Sequence, residues 1–348
     1  MNTKIFELSS DIESKNYQNH IKDAAEIIRN GGLVAFPTET VYGLGGDATD
    51  KSAAAKIYAA KGRPSDNPLI IHVFSPEDAE RFAYTNELYY KLANAFMPGP
   101  LTIILPKRDI IPAEVTGGLD TVAVRCPSHP IAQALIKESG TAIAAPSANL
   151  SGSPSPTCAK HVIDDLTGRV DCIIDGGESE IGLESTIIKL DEEKVTLLRP
   201  GAITSDALLC VCDNVSVSPA VTEGLKENEK PLSPGMKYRH YSPKAPLVLL
   251  DGDDEKILEF MKEAQQKEKC VLLCYNEEAE HLKDENTIKI GKKADLATQA
   301  HRLFAALRDA DLIDCDIIYA HLPTLSGLGL ALYNRLIRAA AHTVKTIN

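Results

Sequence analysis

The stretch GGLVAFPTETVYGLG, Gly31 to Gly45, decides how this chain is read. Upstream of it, from Tyr17 to Asn30, apolar residues recur at helical spacing, and Gly31-Gly32 ends that helix where a left-handed cap is needed. Leu33 to Phe36 is short and wholly apolar, which predicts a buried strand. Pro37 to Gly45 then reads as a loop at the strand's carboxyl end, where open α/β sheets place ligands. Its threonine hydroxyls and glycine-permitted backbone amides suit small polar groups. A helix, a buried strand and a polar loop in that order predict an α/β fold.

The alternation continues outward. Helices are expected near Ser52 to Ala60, between Pro76 and Phe96, over Ser128 to Glu138 and over Thr157 to Leu166. Strands are expected at Leu69 to Val73, Leu101 to Leu105, Thr121 to Cys126, Ala142 to Ala145, Cys172 to Asp175, Ser185 to Leu190 and Val195 to Arg199. The last three run without helices between them, which predicts a mixed sheet. Periodicity fades between Val217 and Pro246, in a segment rich in Pro, Gly, Ser and charge that reads as a linker. Yet Ser233 to Pro243, SPGMKYRHYSP, is dense in Tyr, His and Arg for a spacer, and reads either as a solvated link or as a segment folded over something. Strict alternation resumes after it: Leu247 to Leu250, Glu255 to Gln266, Cys270 to Tyr275, Thr287 to Ile290, Asp295 to Arg308, Asp316 to Ala320, and a last helix from Gly329 to Thr343. That predicts a small parallel sheet with helices on its faces, Rossmann-like in architecture. The expected organisation is therefore a first domain over 1–212, a linker over 213–246 and a second domain over 247–348. Gly327-Leu328-Gly329 lacks the βαβ unit of a dinucleotide fingerprint and reads as a helix start.

At 348 residues, 44 % hydrophobic and 25 % charged, the chain has the make-up of a globular protein of two domains. A net charge of −12 argues against tight binding of nucleic acid, which is driven by neutralising phosphates. Residues 1–10 show no signal-peptide pattern and no apolar run approaches ~18 residues, so a cytoplasmic protein with no membrane partner is expected. The eight cysteines include no CxxC pair, and most sit in apolar runs, which predicts buried thiols and no metal site.

Four cations stand at strand ends or loops of the first domain. In KGRPSDNP, residues 61–68, Pro64 forces Arg63 towards an extended conformation, so Lys61 and Arg63 can point to one side as a polyphosphate clamp. A solvated basic loop is the other reading. Arg125 shares a strand face with Thr121 and Ala123, and reads either as a carboxylate anchor or as an edge-strand ion pair. Arg199 precedes Pro200-Gly201, near Ser185-Thr186. His72 shares a face with Ile70; histidine in such a strand is more often a satisfied core residue than a functional one. The run from Ala145 to Thr157, APSANLSGSPSPT, offers hydroxyls and amides near a helix start, either a site for phosphate oxygens and nucleotide hydroxyls or a stiff surface loop.

Taken in order, PTETVYGLG, KGRPSDNPL, PGPLTIIL, TVAVRCP, APSANLSG, STII, LRPG, PGMKYRHYSP and GLGLALYNRLIRAA resemble the threonylcarbamoyl-AMP synthase family in its long form, a YrdC-like domain followed by an accessory domain. The resemblance implies condensation of L-threonine, bicarbonate and ATP to threonylcarbamoyl-AMP and pyrophosphate, with downstream transfer enzymes carrying the group to tRNA beside the anticodon. It implies a threonine pocket lined by Thr40, His72, Arg125, the backbone at Ala145, and Ser185. It implies ATP contacts from Arg63, Asn67, Thr121, Ser147, Ser155 and Arg199, with Tyr241 or its neighbour Tyr238 over the nucleotide. Lys61, with Arg63, is the expected stabiliser of developing negative charge, and Mg²⁺ is expected to accompany ATP without a dedicated protein site. The alternative is an RNA-binding module without catalysis, which the acidic balance opposes.

Overall fold

The computed structural model describes residues 2–8, 14–65, 67–191, 194–223, 231 and 240–348. Its contacts divide the chain into two units, one of 1–151, 155–180 and 184–237, the other of 152–154, 181–183 and 238–348.

The first unit holds a mixed sheet of eleven strands. In chain order these are β1 (Lys4–Glu7), β2 (Val34–Phe36), β3 (Gly43–Asp47), β4 (Ile70–His72), β5 (Leu101–Pro106), β6 (Thr121–Arg125), β7 (Ile143–Ala144), β8 (Cys172–Asp175), β9 (Thr186–Asp191), β10 (Lys194–Arg199) and β11 (Val215–Val217). They lie side by side as β1-β8-β2-β3-β7-β4-β6-β5-β9-β10-β11. The expected mixed sheet is present: β4 pairs parallel with β6, whereas β5 runs antiparallel to β6 and parallel to β9.

Local chemistry explains the elements around Gly31. The helix Lys15–Arg29 is capped by Ser14, whose hydroxyl accepts from the Tyr17 amide, and Gly31 follows at a φ of 73°. The loop after β2 is shorter than expected, because Gly43 to Asp47 pairs antiparallel with β2 as β3. Three glycines in a row of five read as loop by propensity, but here glycine is what the packing demands. A Cβ on Gly45 would lie 2.5 Å from Ile143 Cγ2 and 2.7 Å from Phe36 Cε1. Tertiary contact overrides strand propensity at this point.

The linker expected from residue 213 begins inside this unit's sheet, since Val215–Val217 pairs parallel with β10. The edge strands β1 and β11 were not legible, being short, partly exposed and without a clean alternation.

The second unit is a five-stranded, wholly parallel sheet in the order β14-β13-β15-β12-β16, with β12 (Leu247–Gly252), β13 (Cys270–Cys274), β14 (Thr287–Lys289), β15 (Ile317–His321) and β16 (Val344–Ile347). Long helices span Asp254–Lys267, Leu296–Ala310 and Gly327–Ala339. The final helix stops short of Thr343 because Ala341 and His342 take left-handed φ values of 48° and 62° and turn the chain into β16. All eight cysteines are unpaired; five are buried, and Cys210 is exposed rather than packed in an apolar run. Among the described residues no helix is long and apolar enough to cross a membrane.

Gly45→Ala should lower stability by about 1–3 kcal/mol, because Phe36 and Ile143 are fully buried and have no space to give. Denaturant unfolding should show a lower midpoint at unchanged slope.

Candidate functional site

The sheet face carrying β4, β6, β5 and β9 explains where the site lies. Ile71, Val124, Ile103 and Ile188 point to one side and belong to the main helix-covered core. The opposite side carries two neighbouring rows. Ile70, Ala123 and Ile104 form a small apolar patch with Ile187 and Leu198. One pleat further along, His72 is in register with Arg125 and Arg125 with Thr102, and the Thr102 hydroxyl lies 2.7 Å from that of Ser185. A polar row beside an apolar floor suits a small amphipathic molecule.

Arg125 is buried at the end of β6, and its Nη2 donates to Glu39 Oε1 at 2.7 Å, with both side chains about 5 % exposed. Arg125 thus makes an ion pair, but β6 lies between β4 and β5 inside the sheet and the partner comes from the Pro37 loop, so the edge-strand form of that reading is corrected. The pair is incomplete: Arg125 Nε and Glu39 Oε2 are both buried without a hydrogen-bond partner. Glu39 is held between two threonines, since the Thr38 and Thr40 hydroxyls lie 2.9 Å apart and Thr38 Oγ1 also donates to the Val41 carbonyl. Sequence reasoning did not single out Glu39, Thr102 or Glu184. Glu39 had one available signal, an acid between two threonines in a loop following a buried strand.

His72 is buried, 3.3 Å from the Ile143 carbonyl through Nδ1 and edge-on to Phe36. Loss of hydration, with the nearby Arg125 charge, lowers its pKa to about 3. The imidazole is thus neutral at pH 7, and with Nδ1 donating to a carbonyl its Nε2 is left as an acceptor.

The cations of the KGRPSDNP segment are placed differently from the expected paired arrangement on one extended segment. Lys61 is the last residue of the helix Lys51–Lys61, and Gly62 turns left-handed at a φ of 61° before Arg63. The Lys61 ammonium is buried and donates to the carbonyls of Ser147 and Asn149, each at 2.5 Å. Ser147 donates to Asn149 Oδ1 and bridges Gly43 of β3, so the APSANLSG loop is tied to the sheet by that bridge and to the helix end by Lys61. Arg63 is half-buried, with Nε and Nη2 shielded from solvent. Asn67 is fully buried, yet neither atom of its side-chain amide has a partner. Buried polar groups are nearly always paired, so such an amide marks a place for a ligand or water.

The remaining predicted residues fall as follows. Arg199 donates through Nε to the Ser185 carbonyl and through Nη2 to the Ser185 hydroxyl. Ser155 donates to Glu184 at 2.5 Å. The Ala145 amide donates to the Ile70 carbonyl, and Thr121 is half-buried at the start of β6, on the face of Ala123 and Arg125. Tyr241 belongs to the second unit, where it has a left-handed φ of 63° and packs 5.1 Å from Phe304 with the Arg335 guanidinium beyond its ring. Tyr238 lies outside the described residues. Among the described residues no group of three or more His, Cys, Asp or Glu side chains is arranged to hold a metal ion.

Burial of neutral His72 has a thermodynamic consequence. The unfolded chain takes up this proton near pH 6.5 and the folded one only near 3. Between those values the unfolded state binds more protons, so stability falls as pH drops below 6.5. Going from pH 7.5 to 5.0, the wild type should lose about 2 kcal/mol more than His72→Gln, read from urea midpoints at the two pH values.

A family model described as "Telomere recombination" matches residues 26–201, and one described as "Threonylcarbamoyl-AMP synthase, C-terminal domain" matches residues 203–341. The chain is 45 % identical over 347 residues, 99 % of both chains, to the threonylcarbamoyl-AMP synthase of Bacillus subtilis. It is 46 % identical to that of Pyrococcus abyssi, covering 93 % of this chain and 95 % of the relative. The crystal structure of Pyrococcus abyssi Sua5 complexed with L-threonine superimposes over 100 % of both chains with a TM-score of 0.89 at 42 % identity. With two family models in tandem and matches along the full length, the chain belongs to the threonylcarbamoyl-AMP synthase family in its long, two-domain form.

Proposed function

We propose that this chain is an L-threonylcarbamoyladenylate synthase, an adenylyltransferase that condenses L-threonine, bicarbonate and ATP and releases pyrophosphate. The observation that carries the reading is the polar row of His72, Arg125, Thr102 and Ser185 beside its apolar floor, in a chain whose relatives bear that name over their whole length.

The pocket has a group for each end of threonine. Arg125 Nε, buried and unpaired, takes the carboxylate. Thr40, Ser185 and the Ala145 backbone line the cavity, His72 Nε2 accepts the substrate hydroxyl, and the Ile70 and Ala123 floor meets the methyl group. Arg63, Asn67, Thr121, Ser147, Ser155 and Arg199 hold ATP, the Asn67 amide gaining the partners it lacks here.

Chemistry proceeds by carboxylation of the threonine amine and attack of a carbamate oxygen on the α-phosphorus of ATP. The bond from that phosphorus to the bridging oxygen breaks and pyrophosphate leaves. Such transfer needs alignment and charge neutralisation more than a covalent nucleophile. Lys61 supplies both, by fixing the Ser147–Asn149 loop and by placing a buried positive charge beside it. Mg²⁺, held through phosphates and water, would neutralise charge on the triphosphate. Product passes to enzymes that transfer the threonylcarbamoyl group to tRNA.

Pyrophosphate release from ATP should require threonine and bicarbonate together, and equal release without threonine would reject the assignment. Lys61→Ala should cut turnover by about 100-fold or more while the circular dichroism spectrum stays native.

A further inference from the structure

The two unpaired atoms of the Glu39–Arg125 pair are chemically opposite. Arg125 Nε is a donor and Glu39 Oε2 an acceptor, each buried and without a hydrogen-bond partner, on side chains already joined through their other atoms at 2.7 Å. An α-amino acid zwitterion carries the two complements on adjacent positions, a carboxylate for the donor and an ammonium for the acceptor. The Thr38–Thr40 turn fixes the backbone on either side of Glu39, so the second oxygen is held in place before any ligand arrives.

We infer that Glu39 is a catalytic residue: its Oε2 binds the substrate ammonium and takes one proton from it. The inference rests on the threonine reading above and deepens it. An ammonium has no lone pair and cannot attack bicarbonate. Transfer of one proton to Glu39 frees the nitrogen lone pair, which attacks the bicarbonate carbon. A C–N bond forms, the C–OH bond breaks, and the hydroxyl leaves as water with the second nitrogen proton. Ammonium, carboxylate and bicarbonate thus become carbamate, carboxylic acid and water, with charge conserved. Glu39 returns its proton to solvent after product leaves.

The groups facing Glu39 do not compete for this step at neutral pH. Arg125 on β6 has donors only and no acceptor for a proton. Burial pushes the Cys126 thiol up to about 11. His129, at the start of the helix Pro130–Ser139, has its pKa lowered by burial, with the Glu39 charge opposing the shift. His72, beyond Arg125, is neutral.

The test compares wild type with Glu39→Gln, which keeps the shape and the contact to Arg125 but cannot take the proton. At pH 7 the variant's kcat/KM for threonine should fall about 100-fold. The loss should then be recovered about tenfold per pH unit up to pH 9, because only threonine arriving as free amine reacts. A loss of equal size at every pH would mean that Glu39 only positions Arg125, and would overturn the inference. A measurement on the wild type covers failure of the variant to fold: 3-hydroxybutanoate, threonine without its ammonium, should compete at least tenfold more weakly than threonine binds. Equal affinity would also overturn it. Absence of threonine-dependent turnover in the wild type would remove the threonine reading itself, whereas wild-type turnover with an unchanged profile in Glu39→Gln removes the inference alone.

Discussion

The buried pair of Glu39 and Arg125 is the constraint on which the first unit's architecture turns. Glu39 follows β2, and Arg125 ends β6, four strand steps away in the sheet. On a flat sheet that separation would be about 19 Å. An ion pair of 2.7 Å across it is reached because Glu39 stands on the Pro37–Tyr42 loop beyond β2, which brings the carboxylate back to the polar row. The glycines of β3 belong to the same solution, because they let β2 and β7 close on either side of that strand without side chains in the way.

Burying two charges is costly, and a buried pair contributes little net stability against an apolar replacement, although removing one partner costs about 3–5 kcal/mol. Position is what the pair supplies. The same holds for Lys61, whose ammonium is spent on two backbone carbonyls and so converts a loop of serines, alanine and asparagine into a fixed wall. Around these two anchors the structure leaves selected polar atoms unsatisfied, on Glu39, Asn67 and Arg125, while Ser155 is paired with Glu184 and Ser185 with Thr102. Preorganised, unsatisfied groups in a water-poor pocket are what an enzyme needs for a polar substrate.

Much of the architecture was legible because the signals are local. Apolar spacing located the helix before Gly31, the buried strands β2, β4, β5 and β6, and the strand and helix alternation of the second unit. The edge strands β1, β11 and β16 escaped because a short, half-exposed strand is defined by its partner and not by its own pattern. β3 escaped because its glycines fit a packing requirement that only Phe36 and Ile143 reveal. The motifs named Lys61, His72 and Arg125 as candidates with a second reading for each, and only hydrogen bonds show that the Lys61 ammonium is buried on two carbonyls and that Arg125 pairs with Glu39.

The sequence by itself determined the fold class, the division into two α/β parts and the family, since these rest on periodicity and on motifs contiguous in the chain. Only the tertiary structure decided which side chains meet. Glu39 and Arg125 are 86 residues apart, Lys61 and Ser147 also 86, and Thr102 and Ser185 83. Contacts at such separations are set by strand order and register, which no local pattern encodes. The unpaired Glu39 oxygen is visible only once its neighbours are in place.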